Sequence, residues 1–560
     1  MTDPTFPTLR TLLETAVQAV PRNHIFTRWF ANGAWQHRTY AETLDRVRIL
    51  AEWFGTHGLI PRKTHVALLL PNGPDWIESY LAVTSIAGAI VPIDPKLTAP
   101  ELHHILSDSE ATFLVTDPAH LPLVKEVAPT LPALQQLLLT AAPIDIPAPL
   151  PTTLLPSLFH DYPDDHSRRV WDDPSCIPTP EDLCGILYTS GTTGKPKGAM
   201  LTHRNFSADA IGALTLISEY VTPKDDFLVV LPLFHAFAFT ANFVVALRAH
   251  ARLSFLRSLR TLQADLAALH PSVLMTVPLM AEKLHNHLLE TFHSTLLGRF
   301  IHRFLPRLAG RKILAALGGR LRLIIVGGAK ADPTVVGDFV RMGIPLSEGY
   351  GLTECAPVVS VCPPSHIRVG SIGPVIDGIQ ARIHNPNNNS VGELQIRGPI
   401  TFRGYWHNDE ATQDIYDGDW LKTGDLARID AQGYLTICGR AKTLIVNREG
   451  KNIYPEEVEQ AIGRSPLISA VVVLAYHTHG EPGEKVGALI APNREALARQ
   501  YPAATTPEAI SALLREAVKH QCQALAAYKH PRKIVISPTP LLMTSTQKVR
   551  RHAYAGMLDE

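Results

Sequence analysis

The chain has 560 residues, 46% hydrophobic and 19% charged, with 52 basic residues balancing 52 acidic ones. That length exceeds what one core serves, so two or more domains are expected, and the composition excludes a disordered chain. Zero net charge removes any bulk electrostatic case for a nucleic-acid partner, and six scattered cysteines without a CxxC pair read as reduced, cytoplasmic thiols.

In chain order, the opening Met-Thr-Asp-Pro-Thr-Phe-Pro has no basic start followed by an apolar block, so no secretory leader is expected. Residues 65–70, 89–93, 111–115 and 321–326 are short buried-strand patterns, and 74–87 is helical. This alternation predicts α/β units around largely buried sheets. Residues 143–180, rich in proline and aspartate, predict a surface excursion. Residues 228–247 are twenty residues without a charge, long enough to cross a bilayer. Pro232, His235 and Asn242 interrupt them, and a buried segment lining an apolar pocket is the better reading. His384-Asn-Pro-Asn-Asn-Asn-Ser-Val predicts a hairpin turn. Beyond Arg440 the pattern changes: Pro455 with Glu456 and Glu457 starts a helix, 469–476 and 486–490 read as strands, and Thr506-Pro507 opens a second helix carrying Ile510, Leu513, Leu514 and Val518 on one face. A large N-terminal α/β domain of several layered subdomains (1–438) and a small α+β domain (439–560) are therefore expected.

The most telling stretch is Tyr188-Thr-Ser-Gly-Thr-Thr-Gly-Lys-Pro-Lys-Gly198. Glycines allow close backbone approach, and hydroxyls, N–H groups and lysines are donors to phosphate oxygens. It is not a Walker loop: Gly194-Lys195 is followed by Pro196, and the position five before Gly194 is Thr189. The residue before proline avoids the α region, so the loop should hold phosphate without a helix start.

This string resembles the phosphate motif of the adenylate-forming superfamily, which includes acyl-CoA synthetases, luciferases and peptide-synthetase adenylation domains. Three further motifs follow in family order. The resemblance implies that Thr189, Ser190, Gly191, Thr192, Thr193, Gly194, Lys195 and Lys197 bind ATP phosphates. It implies that Gly327-Gly328-Ala329 and Tyr350 enclose adenine, within a nucleotide segment that also holds Glu348, Gly349 and Gly351. Thr353 would donate to the α-phosphate and Glu354 would hold Mg²⁺, a hard cation suited to a carboxylate. In Trp420-Leu-Lys-Thr-Gly-Asp425 the resemblance gives Asp425 the ribose hydroxyls, and in the segment from Gly439 it gives Arg440 the nucleotide, Lys442 the hinge and Gly450 the thiol channel. Near the end, Thr544-Ser-Thr-Gln-Lys-Val-Arg-Arg551 is similar to the family's last motif and places the catalytic lysine at Lys548, with Gln547 where glycine commonly stands. Thr443 stands where many relatives have an acid.

Residues 231–240 lie where the family builds part of its acyl pocket, which implies roles for Phe234, His235, Phe237 and Phe239; such an aromatic string is also ordinary core. The wording is most similar to bacterial medium- and long-chain fatty acyl-CoA synthetases. ATP, Mg²⁺ and CoA are the implied cofactor, metal and co-substrate, acting on a fatty acid. Other acids, aromatic or short-chain, and an acyl carrier protein as acceptor are the alternatives; no insertion is evident between Asp425 and Gly450, which favours CoA. A non-catalytic binding scaffold is disfavoured by the intact motif residues. Peripheral membrane contact and oligomeric state are left open.

Overall fold

The structure is a computed structural model that describes residues 6–143, 147–160, 169–189, 196–293, 295–449, 451–478, 483–504, 506–543 and 549–559. Two compact units are present: Met1–Ala381 with Ile396–Leu421 and Ala431–Leu435, and Arg382–Gln395 with Lys422–Asp430 and Thr436–Glu560.

The larger unit is organised by two eight-stranded sheets. In one, Ala89–Pro92, His65–Leu69, Phe113–Thr116 and Gln136–Leu139 run parallel, every residue of the first three buried. Strands covered on both faces carry unbroken apolar runs, which is why they were legible without alternation. Leu183–Thr189 and Lys197–Thr202 extend this sheet as an antiparallel pair with Thr189 opposite Lys197, and Gly404–Tyr405 pairs with the latter. The second sheet sets Asp226–Val229, Val273–Thr276, Leu323–Val326 and Leu346–Gly351 side by side in parallel. Helices such as Leu262–Leu269 and Pro333–Arg341 contribute Leu266, Val336 and Phe339 to the core beside it.

The twenty uncharged residues 228–247 leave the strand Asp226–Val229 and turn into a helical run that is α over Ala236–Ala238 and π over Phe239–Val244. Among the described residues no helix is long and apolar enough to cross a membrane.

In the smaller unit Ile468–Tyr476 and Lys485–Pro492 pair antiparallel and Lys533–Ile536 adds in parallel. Helices Pro455–Gly463 and Pro507–Cys522 supply Val458, Ile462, Leu514 and Val518 to its core. Both helices begin as the sequence suggests, with proline in the first turn followed by glutamate, where the free N–H groups and the dipole favour it. The mixed α/β architecture with a large first and small last domain is the one expected.

Candidate active site

In the larger unit the candidate residues gather where parallel strands end. Glu348 sits opposite Val326, so Gly327 leaves the end of one strand beside Glu348–Gly351, which continues the neighbouring strand past it, and Gly327 N–H donates to Thr276 O at 3.1 Å. Carboxyl ends of parallel strands are where open α/β sheets bind ligands. A Cβ on Gly327 would lie 2.9 Å from the Phe237 ring. The expected adenine segment and one expected acyl-pocket aromatic are therefore in contact. The bulge at Tyr350 and Gly351 is tighter still: a Cβ on Gly351 would fall 1.7 Å from Pro357 O, so only glycine fits. Leu352 N–H then donates to the same oxygen at 3.0 Å, and the chain turns through Thr353–Cys355.

Glu354 is positioned by that turn and by the Phe402–Trp406 segment. Phe402 N–H donates to Glu354 O at 2.8 Å, and the Tyr405 hydroxyl donates to Glu354 Oε1 at 2.6 Å. Tyr405 pairs through its backbone with Ala199, and Lys197 Nζ stands 5.4 Å from the centre of its ring. Burial, followed by the charge of Glu354, raises the Tyr405 hydroxyl far above the ordinary phenol range, so it remains a donor. Tyr405 thus links the strand that leaves the glycine-rich loop to the carboxylate. Thr189 Oγ1 donates to Lys197 O at 3.4 Å across the same hairpin, and strand pairing on both sides is the non-helical flank that Pro196 suggests.

Glu348 is 5% exposed, and its Oε1 has no hydrogen-bond partner among the described residues. Burial pushes its carboxyl up to about 7, against the backbone N–H groups of Gly370 and Ala331. Behind the turn, fully buried Asp209 accepts the Val358 N–H at 2.8 Å, and Thr240 donates to Ala356 O at 2.6 Å.

The four aromatic-run residues separate. Phe234, His235 and Phe237 are half-buried, whereas Phe239 is 2% exposed, its ring 4.4 Å from Tyr80, 4.7 Å from Phe206 and 5.3 Å from Phe243. Phe239 belongs to an aromatic core cluster.

In the smaller unit Asp425 is nearly buried and Arg440 half-exposed, with Arg440 Nε 3.2 Å from Asp425 Oδ1. Gly424, at φ +70°, makes the turn before Asp425, and Thr423 Oγ1 accepts the Asp425 N–H at 3.1 Å. Lys442 is exposed on the turn Ala441–Thr443, where Thr443 Oγ1 donates to Glu456 Oε1 at 3.1 Å. The expected Ser190, Gly191, Thr192, Thr193, Gly194, Lys195, Gly450 and Lys548 lie outside the described residues. Beside the last of these, Met543 and Val549 pair antiparallel, and Arg551 Nη2 is 2.8 Å from Glu459 Oε1.

Sequence reasoning passed over Tyr405, Asp209 and Thr240. Only Tyr405 had a signal: the aromatic string Phe402-Arg-Gly-Tyr-Trp406 has no strand or helix period of its own.

Fold and site together define an α/β enzyme whose glycine-rich segment is flanked by two paired antiparallel strands. The AMP-binding enzyme family matches residues 13–406, and the chain belongs to it. The long-chain-fatty-acid–CoA ligase FadD15 of Mycobacterium bovis is 29% identical over 578 residues, covering 95% of this chain and 93% of that one. Feruloyl-CoA synthase of an Amycolatopsis species is 30% identical over 447 residues, 78% of this chain and 80% of its own. The crystal structure of the anthranilate CoA ligase AuaEII with anthranoyl-AMP shares the fold, with a TM-score of 0.77 at 19% identity over 100% of this chain and 98% of that one.

Proposed function

We propose that this chain activates a medium- or long-chain fatty acid with ATP and passes the acyl group to the thiol of CoA. An acid oxygen attacks the α-phosphorus, the bond to pyrophosphate breaks, and an acyl-adenylate remains. The thiol sulfur then attacks the acyl carbonyl, the bond to AMP breaks, and the thiol proton leaves to water. Converting a carboxylate to an adenylate supplies the leaving group that oxide cannot be.

The observation that carries this reading is the Tyr405 bridge, which ties the phosphate-loop strand to Glu354. The residues present fit Mg²⁺ held jointly with phosphates: Glu354 is a hard oxygen ligand, and among the described residues no cluster of three or more metal-ligating side chains forms a protein-only cage. Bound there, the ion would neutralise phosphate charge during displacement. Tyr405 holds Glu354 in place by donation, Lys197 offers a mobile cation to the phosphates, and Thr353 a hydroxyl to the α-phosphate. Gly327, Gly328 and Ala329 with Tyr350 would enclose adenine; Asp425 would take the ribose hydroxyls and Arg440 the nucleotide.

Lys548 is assigned to the first half-reaction, Lys442 to the hinge about which the small domain turns, and Gly450 to the thiol's path. Six free cysteines suit a reducing, cytoplasmic setting. FadD15 favours a fatty acid, while the feruloyl-CoA synthase, together with Phe237 packed on Gly327, supports an aromatic acid as the second reading.

Pyrophosphate release across a panel of carboxylic acids, with and without CoA, tests the reading. Activity should peak at medium- to long-chain acids, turnover should need CoA, and the nucleotide product should be AMP. A peak at aromatic acids replaces the substrate, turnover with only a carrier protein replaces the acceptor, and ADP removes the mechanism. Lys548→Ala should abolish adenylate formation yet spare thioester formation from supplied acyl-adenylate; loss of both would refute that assignment.

A further inference from the structure

The helices Leu296–Phe304 and Pro306–Ala316 in the larger unit bury one apolar face and leave a second set of large apolar residues exposed. Leu296 is 83% exposed, Leu297 68%, Phe300 54% and Phe304 60%, and Leu305 and Leu308 continue the patch onto the second helix. Spacing of three and four residues puts Leu297, Phe300 and Phe304 on one face, with the last two rings 4.9 Å apart. Six large apolar side chains in thirteen residues form a contiguous patch, unlike the single exposed leucines that any surface carries.

The opposite face is firmly seated, so the exposure is not fraying. Thr295 caps the first helix by accepting the Gly298 N–H at 3.0 Å, and Gly298 and Gly310 are so close to the carbonyls of Phe292 and Met342 that Cβ atoms would fall 1.9 and 2.0 Å from them. His302 is buried, 3.2 Å from both His293 and Asp338, and Asp338 also meets His285 at 2.8 Å and Arg341 at 3.1 Å. Ile301, Ala309 and Ile313 enter the core.

Charge decides what covers the patch. Residues 291–331 contain no aspartate or glutamate, although the whole chain is neutral. Arg299, Arg303, Arg307, Arg311 and Lys312 are all exposed, and among the described residues no carboxylate pairs with any of them. An apolar face rimmed by unpaired cations is complementary to an anionic bilayer surface, into whose headgroup boundary such a helix settles. A protein partner or second copy would have to supply carboxylates, and a copy of this stretch has none.

We infer that the helical hairpin Leu296–Ala316 docks the enzyme on an anionic lipid bilayer, with Leu296, Leu297, Phe300 and Phe304 entering the headgroup boundary and the basic residues facing lipid phosphates. Such a surface is where a fatty acid partitions, so the inference gains its purpose from the proposed substrate but not its argument.

The test is co-sedimentation of the full chain, without nucleotide or acid, with phosphatidylglycerol–phosphatidylethanolamine vesicles and with phosphatidylcholine vesicles. Binding to the anionic vesicles, weakened by salt, is expected. Arg299→Gln, Arg303→Gln and Arg307→Gln together should lower partitioning roughly a hundredfold, on the order of fivefold per charge. Leu296→Ser, Leu297→Ser, Phe300→Ser and Phe304→Ser together should abolish it, while pyrophosphate release on a water-soluble acid stays unchanged. Should the fourfold variant fold poorly, Leu297→Trp gives a second reading: its added emission should be quenched by brominated lipid. Unchanged vesicle binding in the variants, or no quenching, overturns the inference. So does a wild-type dimer in ultracentrifugation that the serine variant dissolves without vesicle binding, which would make the patch an interface between copies. None of these outcomes depends on which acid is activated.

Discussion

Two segments of the larger unit invert the ordinary partition of side chains in opposite ways. Around Ser347–Tyr405 carboxylates sit inside: Glu348 and Asp209 are buried, and Glu354 is held by a tyrosine. Along Leu296–Leu308 six leucines and phenylalanines sit outside. Exposed apolar patches and buried carboxylates both cost stability, and a chain retains them where the surrounding fold holds them rigidly. In both places a close glycine contact supplies that rigidity: Gly351 on Pro357 in the first, Gly298 on Phe292 and Gly310 on Met342 in the second. Departure from the burial rule, combined with atomic-contact support, separates these sites from both core and random surface.

The largest effect that would sharpen this contrast comes from a position that obeys the rule. Phe239→Ala should cost about 3–5 kcal/mol in chemical unfolding, because the ring fills the cluster of Trp76, Tyr80, Phe206 and Phe243. Phe237→Ala should cost less and change the acid preference instead; equal destabilisation by both would break the division drawn within one aromatic run. Next, Glu354→Gln should slow pyrophosphate release by about 10²–10³ with little loss of stability, since the amide can still meet Tyr405 but supplies no charge. A comparable drop in melting temperature would move Glu354 from the chemistry to the frame.

Smaller is the response to pH at Glu348. Its carboxyl is raised from 4.5 to about 7, so the folded state favours the protonated form. The associated stability is complete below about pH 4.5 and lost as pH rises towards 7. Glu348→Gln should therefore raise the melting temperature at pH 8, by about 3 kcal/mol of stability at most, and leave it nearly unchanged at pH 4.5. An equal gain at both pH values would show that the cost is not one of ionisation.

How much of this the sequence disclosed follows from how each signal arises. The parallel strands at 65–69, 89–92 and 323–326 were readable because burial on both faces demands an unbroken apolar run. On either side of the glycine-rich segment the strands pair antiparallel, which agrees with the bias of Lys195-Pro196 against a helix start; residues 190–195 themselves lie outside the described residues. Phe237 and Phe239 could not be told apart: in a uniformly apolar stretch no period shows, and the α turn Ala236–Ala238 passes into a π turn over Phe239–Val244, which shifts the facing of each residue. The hairpin Leu296–Ala316 escaped notice since its helical pattern resembles that of any core-facing helix; only the fold reveals that Leu296, Leu297, Phe300 and Phe304 lie on the outer side. Tyr405 was hidden because its role comes from a strand pairing 206 positions from Ala199 in sequence.

The packing of Gly351 against Pro357 reaches beyond this molecule. Any side chain at 351 would prise the bulge open and break the Leu352 hydrogen bond immediately before Thr353. Among duplicated descendants of such a gene, loss of this one glycine would mark decay even in a copy that still spells the acid at 354. Retention of both, with drift confined to 234–237, would be the signature of a lineage changing its diet and not its chemistry.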